Sequence, residues 1–332
     1  MGISYPEKGS EVPLDSNENL LLPEEYYEDI KDELDFSLRN YPSPTSTELK
    51  RCLADFHGLN HEQVVVDNGS DAVLDTICKT FVPKDSTLGY FHPSYEMYSF
   101  FASRNDRKAI EIPLDPDFTL PSKIDYLNEV EAVLVCSPNN PSGLHVKRKK
   151  IITILENVEL AVIDEAYVEY SERDHISLIE EYDNLIIVRT FSKAWGLAGI
   201  RVGYALMSAE KGVEYLENML PYNVNSVSSE VALSALEKKS QVEKSINKTI
   251  EERERLSDEL DDRSFNPLPS DTNFLLCKKP AFIEASELYQ ELLERGIRIR
   301  TFEEPRLEDH VRITVGDRET NDHFLETLDE IL

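Results

Sequence analysis

An α/β architecture on a mainly parallel sheet, with helices on both faces and a smaller α+β unit beside it, is predicted by three features of this 332-residue chain. From residue 45 onward, short apolar runs alternate with stretches of helical period. The runs Ala132–Cys136, Leu160–Ile163 and Leu185–Val188 are apolar throughout rather than alternating, as strands covered on both faces must be. After about residue 225 the regular alternation gives way to a long charged helical stretch and a few separated strands.

In chain order, residues 1–35 have no strong period and read as an N-terminal arm that packs elsewhere. Leu49, Cys52, Leu53 and Phe56 recur at helical spacing, with Gly58 as the C-cap. Val64–Val66 is a short strand, and Val73, Leu74, Ile77 and Phe81 mark the apolar face of a helix. Thr87–Tyr90 is the next strand, followed by the three apolar runs named above. This large layer spans 36–225. In 226–332, a helical stretch from Glu230 to about Leu260 leads through Asn266-Pro267-Leu268-Pro269 into a strand at Asn273–Cys277. A helix around Leu288–Leu293 stops at Gly296, strands follow near Ile297–Arg300 and Val311–Val315, and a last helix closes the chain.

Composition narrows the function. Hydrophobic residues make up 40% of the chain, enough for a full core. A net charge of −29 argues against nucleic acid and against anionic membranes, because both require basic surface. No apolar run approaches a membrane span, and Met1–Lys8 lacks the apolar centre of a secretion signal. Cys52, Cys78, Cys136 and Cys277 form no CxxC pair, and three lie in apolar stretches, so they read as free, buried thiols. A cytoplasmic protein is expected.

The candidate chemistry gathers where apolar strands end, the edge at which open α/β sheets hold ligands. Lys193 follows one such strand. A lysine is ordinarily a solvated surface group, but one desolvated at this edge loses its proton and attacks an aldehyde. Asp164 ends another strand; it is either a turn or cap residue or the ionised partner of a pyridine nitrogen. Tyr167 and Asn140, the latter in the turn-like Ser137-Pro138-Asn139-Asn140-Pro141, are placed to hydrogen-bond a phenolic oxygen on the same ring. Gly69, Ser70 and Asp71 open a helix after a strand, a seat for phosphate that Ser192 and Arg201 would complete. Tyr95 either stacks on the ring or packs in the core. These groups together suit pyridoxal 5′-phosphate (PLP). Arg300 and Arg312 lie on late strands, where surface ion pairs compete with a role in holding acidic substrate groups.

Other signatures fail. GxGxxG, the Walker P-loop, GxSxG and HExxH do not occur, and Gly58 interrupts any helix that would align His57 with His61 as metal ligands.

The chain resembles the fold-type I PLP-dependent aminotransferases, and among them the histidinol-phosphate aminotransferases. The resemblance runs from Ser16-Asn17-Glu18-Asn19 through Arg39-Asn40-Tyr41-Pro42, Cys136–Pro141, Asp164-Glu165-Ala166-Tyr167 and Ser192-Lys193…Arg201 to Val311–Glu319, in matching order. It implies a seven-stranded sheet in a large PLP domain, a small domain built from both chain ends, and a cytoplasmic homodimer with active sites at the subunit interface. It also implies that Lys193 is catalytic, and that Tyr41 reaches the cofactor phosphate of the partner subunit. Arg312, Arg300 and Tyr5 would bind the acidic groups of histidinol phosphate and of 2-oxoglutarate or glutamate. Leu20 departs from the family, which has proline there. The rival readings are a PLP decarboxylase of a phosphorylated amino acid such as threonine phosphate, a broader aromatic or aspartate aminotransferase, and a PLP-binding regulator. The regulator is disfavoured because the chain lacks a DNA-binding segment and a basic surface.

Overall fold

The computed structural model describes residues 11–123 and 125–332, and two sheets organise them. The strands, in chain order, are β1 (Val12–Leu14), β2 (Val64–Asp67), β3 (Thr87–His92), β4 (Lys108–Pro113), β5 (Ala132–Cys136) and β6 (Leu160–Asp164). They continue with β7 (Leu185–Thr190), β8 (Gly203–Met207), β9 (Asn266–Pro267), β10 (Phe274–Lys278), β11 (Ile297–Thr301) and β12 (His310–Thr314).

The larger sheet has the order β2-β8-β7-β6-β5-β3-β4. Neighbours from β7 to β4 run parallel, while β8 is antiparallel to both β7 and β2. The connection from β7 to β8 holds no α-helix, only a short turn at Ala198–Ile200, and β8 turns back beside β7. As a result, β2, β3, β5, β6 and β7 all end at one edge.

Side chains alternate between two cores. Val133, Val135, Ala161, Ile163, Leu185 and Ile187 face one side, beneath α1 (Glu24–Asp32), α2 (Thr47–His57), α5 (Arg148–Leu155) and α7 (Ser226–Glu237). Leu134, Cys136, Val162, Ile186 and Val188 face the other, beneath α3 (Ser70–Phe81), α4 (Met97–Arg104) and α6 (Ala209–Asn218). Burial on both faces removes any need for polar positions, which is why these strands read as unbroken apolar runs.

The smaller sheet has the order β1-β11-β12-β10-β9, with β1 parallel to β11. Leu275, Cys277, Ile297, Ile299, Val311 and Ile313 form a core with α8 (Lys239–Asp262), α9 (Ala285–Glu294) and α10 (Arg318–Ile331). By the period of two, Arg298, Arg300, Arg312 and Phe274 lie on the opposite face.

Three details depart from expectation. The single helix foreseen from Glu230 to about Leu260 is two, broken at Lys238 (φ −95°, ψ 20°). The residues of α7 face the large sheet, whereas Leu256 and Leu260 of α8 face the small one, and buried Lys238 is pinned between them by Glu33. Cys52 is exposed on α2, while Cys78, Cys136 and Cys277 are buried; all four are free. Periodicity singles out neither β4, an edge strand with charged outward positions, nor β8. Among the described residues no helix is long and apolar enough to cross a membrane.

Gly203 begins β8 against the start of α3. A Cβ there would lie 2.2 Å from the Ser70 nitrogen, a backbone atom that cannot yield by a rotamer change. Gly203→Ala is expected to cost about 1–3 kcal/mol in urea denaturation, through overpacking of a tight contact. An unchanged midpoint would show that α3 can shift freely.

Candidate active site

Strand ends deliver the groups. Asp164 is the last residue of β6, and alternation turns it to the α3/α4 side. There its Oδ2 accepts from the Tyr98 hydroxyl at 2.8 Å and its Oδ1 from the Ala166 N–H at 3.1 Å. Burial pushes its pKa up to about 6, against the opposing pull of these bonds. Glu165, the next residue, faces the other way. Its carboxylate takes two hydrogen bonds from Arg189 (3.0 and 2.7 Å) and two from His175 (2.9 Å each), which lock the end of β6 to β7.

Beyond β7, Lys193 Nζ donates to the Ser16 carbonyl at 3.0 Å and lies 5.4 Å from the centre of the Tyr167 ring. Burial, and then the charge of Arg312, lower its pKa to about 8. Tyr167 is buried edge-on against Phe274, and its hydroxyl accepts from Asn17 Nδ2 at 3.0 Å. Burial raises its pKa to about 12.

Arg312 Nη1 donates to Asn140 Oδ1 at 2.5 Å and Nη2 to the Asp15 carbonyl at 2.6 Å, while its buried Nε has no acceptor among the described residues. Arg300 sits directly across β11–β12 from it, on the same face, and pairs with Glu96 at 3.0 Å.

A second cluster surrounds the start of α3, which has no side-chain cap. Arg201 Nη2 pairs with Asp71 Oδ2 at 3.3 Å, and Nη1 reaches Ser192 Oγ at 3.4 Å. Tyr95 donates to Asp71 Oδ1 at 2.9 Å, and its ring meets Tyr98 edge-on. Gly69 has φ +85°, and a Cβ there would approach Arg201 Nη2 to 2.8 Å, so the missing side chain keeps the helix start open.

The structure thus gathers Lys193, Tyr167, Asn140 and Arg312 through one set of contacts, and Asp71, Tyr95, Ser192 and Arg201 through another. Tyr98, between Tyr95 and Asp164, joins the second set to the end of β6. Tyr41 stands apart, 84% exposed, with its ring 5.1 Å from that of Tyr222. Tyr5 lies outside the described residues. Leu20 packs against the small-sheet core.

Sequence reasoning passed over Asn17, Asp67 and Tyr98. Buried Asp67 ends β2 and binds Tyr215, Asn223 and the Asn68 N–H, fixing the turn into α3. A lone polar residue closing the apolar run Val64–Val66 is the signal that marks it. Asn17 and Tyr98 carry no such local mark, since their partners lie 150 and 66 residues away.

Residues 10–328 match the family "Aminotransferase class I and II". A histidinol-phosphate aminotransferase of Thermococcus gammatolerans is 39% identical over 96% of this chain and 92% of its own. The solved histidinol-phosphate aminotransferase of Clostridium acetobutylicum superposes with a TM-score of 0.85 at 25% identity, covering 96% of this chain and 98% of that one. A Sinorhizobium meliloti histidinol-phosphate aminotransferase, solved in complex with pyridoxal-5′-phosphate, has the same fold (TM-score 0.85, 23% identity, 96% and 91% covered).

The raised pKa of Asp164 sets a pH signature for the cofactor-free protein. Its folded value of about 6 exceeds its ordinary 3.8, so its contribution to stability is fully present below about pH 4 and lost as pH rises through about 6. Relative to the parent, Asp164→Asn should therefore gain roughly 2 kcal/mol between pH 4 and 7 in urea titrations. A difference that does not change with pH would overturn the shift.

Proposed function

The chain belongs to the class I and II aminotransferases, and on that premise we propose that it transfers an amino group between L-histidinol phosphate and 2-oxoglutarate, with PLP as cofactor. The observation that carries this reading is Lys193, an amine of lowered pKa at the carboxyl edge of the sheet, held beside a buried tyrosine and a buried arginine with an unmet donor. Near-full-length relatives named histidinol-phosphate aminotransferases support the substrate.

The residues fit the cofactor in charge and in the kinds of donor and acceptor they offer. The uncapped start of α3, kept open at Gly69, offers Ser70 and Asp71 backbone N–H groups, and Arg201 and Ser192 flank it, a set suited to phosphate. Tyr95 would lie against the ring, Asp164 would face its nitrogen, and Tyr167 and Asn140 would bind its phenolic oxygen. Lys193 would hold it covalently. When bound, PLP supplies a ring that accepts electrons from the substrate carbon.

The protein's own groups do the rest. Asp164 holds a carboxylate whose two oxygens are already oriented by Tyr98 and Ala166, and it would answer a positive ring nitrogen. Lys193 Nζ, its proton affinity reduced to about 8, takes the proton from the amine-bearing carbon of the substrate. Such positioned acid–base catalysis is worth about 10²–10⁴-fold. Arg312 and Arg300 bind phosphate in one half-reaction and carboxylate in the other, since both anions accept the guanidinium fork.

The working enzyme in this reading is a cytoplasmic homodimer. Leu38 and Leu220 are 90% and 77% exposed and lie within three residues in the chain of the ring-paired Tyr41 and Tyr222, and such apolar surface calls for a cover. A second copy seated there would bring Tyr41 toward the phosphate of its neighbour.

Borohydride reduction of the cofactor-loaded protein followed by peptide mass mapping should find the cofactor on Lys193, and Lys193→Ala should lose both the adduct and transamination; an adduct elsewhere refutes the assignment. Initial rates with L-histidinol phosphate and 2-oxoglutarate should follow ping-pong kinetics. Arg300→Ala should lower kcat/KM about 10-fold or more for phosphorylated donors and less for unphosphorylated ones, as expected for loss of a charged hydrogen bond. Carbon dioxide release without an oxo acid would point to the decarboxylase instead.

A further inference from the structure

Three consecutive residues of the N-terminal segment each hold a different group of the site. The Asp15 carbonyl accepts from Arg312, the Ser16 carbonyl accepts from Lys193, and Asn17 Nδ2 donates to the Tyr167 hydroxyl. This strap is tied to the small sheet upstream, where β1 runs beside β11. Downstream, the Asn17 N–H bonds Thr314 Oγ1 at 3.0 Å and Asn19 Nδ2 bonds the Ala194 carbonyl at 2.8 Å.

The side chain of Asp15 points to a different anchor. Its Oδ2 lies 3.5 Å from Arg298 Nε, and Glu11 Oε2 lies 3.7 Å from Arg298 Nη2. Arg298 is buried and sits on β11 two residues before Arg300, hence on the face that carries Arg300 and Arg312. Arg298 Nε and Glu11 Oε2 have no hydrogen-bond partner among the described residues. The contact is therefore held by opposite charge at short range, without the directed fork of a bidentate pair.

We infer that Arg298 is a positioning residue: paired with Asp15, it sets the 15–17 strap and, through that strap, the Arg312 guanidinium and the Lys193 amine. The inference rests on the site reading given above. Without Arg298, the partly exposed carboxylates of Asp15 and Glu11 lose the buried cation they share, and their mutual repulsion drives the segment that carries them toward water. The strap then releases Arg312 and opens a path for water to Lys193. Because the pair works by charge, Arg298→Lys should preserve it where Arg298→Met cannot.

The test uses two readouts. In cofactor-free protein, the rate of Lys193 modification by trinitrobenzenesulfonate, followed by peptide mass spectrometry, gives the midpoint of its titration. The charged groups facing Lys193 are Arg312, Glu18, Asp71 and Arg201, with the Ser16 carbonyl and the Tyr167 ring. The parent midpoint is expected at about 8. Burial is the largest cause of that value, so Arg298→Met should move it up by about one unit, toward the ordinary lysine range, with Arg298→Lys close to the parent. In the loaded enzyme, Arg298→Met should raise KM for 2-oxoglutarate about 5- to 20-fold with a smaller change in kcat, and should add little to Arg312→Met in a double-mutant cycle. Asp15→Asn serves as the second variant if Arg298→Met does not fold. An unmoved midpoint in the variants, or losses that add fully with Arg312→Met, overturns the inference. A parent midpoint in the ordinary lysine range would instead overturn the site reading itself.

Discussion

Removing ionisable groups from water beside one another is the constraint on which this structure turns. Burial acts on acids and bases in opposite directions: it raises Asp164 to about 6 and lowers Lys193 to about 8. The two groups converge on neutrality from either side. The consequence differs for each: the Lys193 amine gives up its proton more readily than an exposed lysine, while Asp164 stays ionised most easily where a positive charge faces it.

That burial is tolerable only because partners are built in. Asp164 receives Tyr98 and Ala166, Lys193 and Arg312 receive backbone carbonyls from the strap, and Glu165 is matched by Arg189 and His175. The last of these sets is structural in consequence. Fixing Glu165 on one face of the sheet forces Asp164, its neighbour in an extended chain, onto the other. A charged pair beneath the sheet thereby aims the carboxylate above it.

The two sheets divide the work. The large sheet contributes rigid strand ends, with Asp164 and Lys193 at one edge, while the small sheet contributes Arg300 and Arg312 from its inner face. Neither sheet alone assembles the groups. The segment 15–19 crosses from one to the other, bonded to Thr314 on the small sheet and to Lys193, Ala194 and Tyr167 near the large one. Relative movement of the layers is therefore transmitted to the amine and the arginine together.

The amino-acid sequence by itself determined the layered α/β plan and most of the strand ends. Strands buried on both faces must be apolar, and a polar residue that closes one stands out, as Asp164 does at the end of β6, while Lys193 stands three residues beyond β7. It left β4 unmarked, because an edge strand keeps charged residues on its open side, and it left the break at Lys238 unmarked, because helical period persists across it. Only the tertiary structure decided that Asn17 meets Tyr167, that Tyr98 meets Asp164, and that Arg298 meets Asp15. Those contacts join residues 150, 66 and 283 positions apart, and local periodicity carries no information about which distant groups a fold will desolvate together.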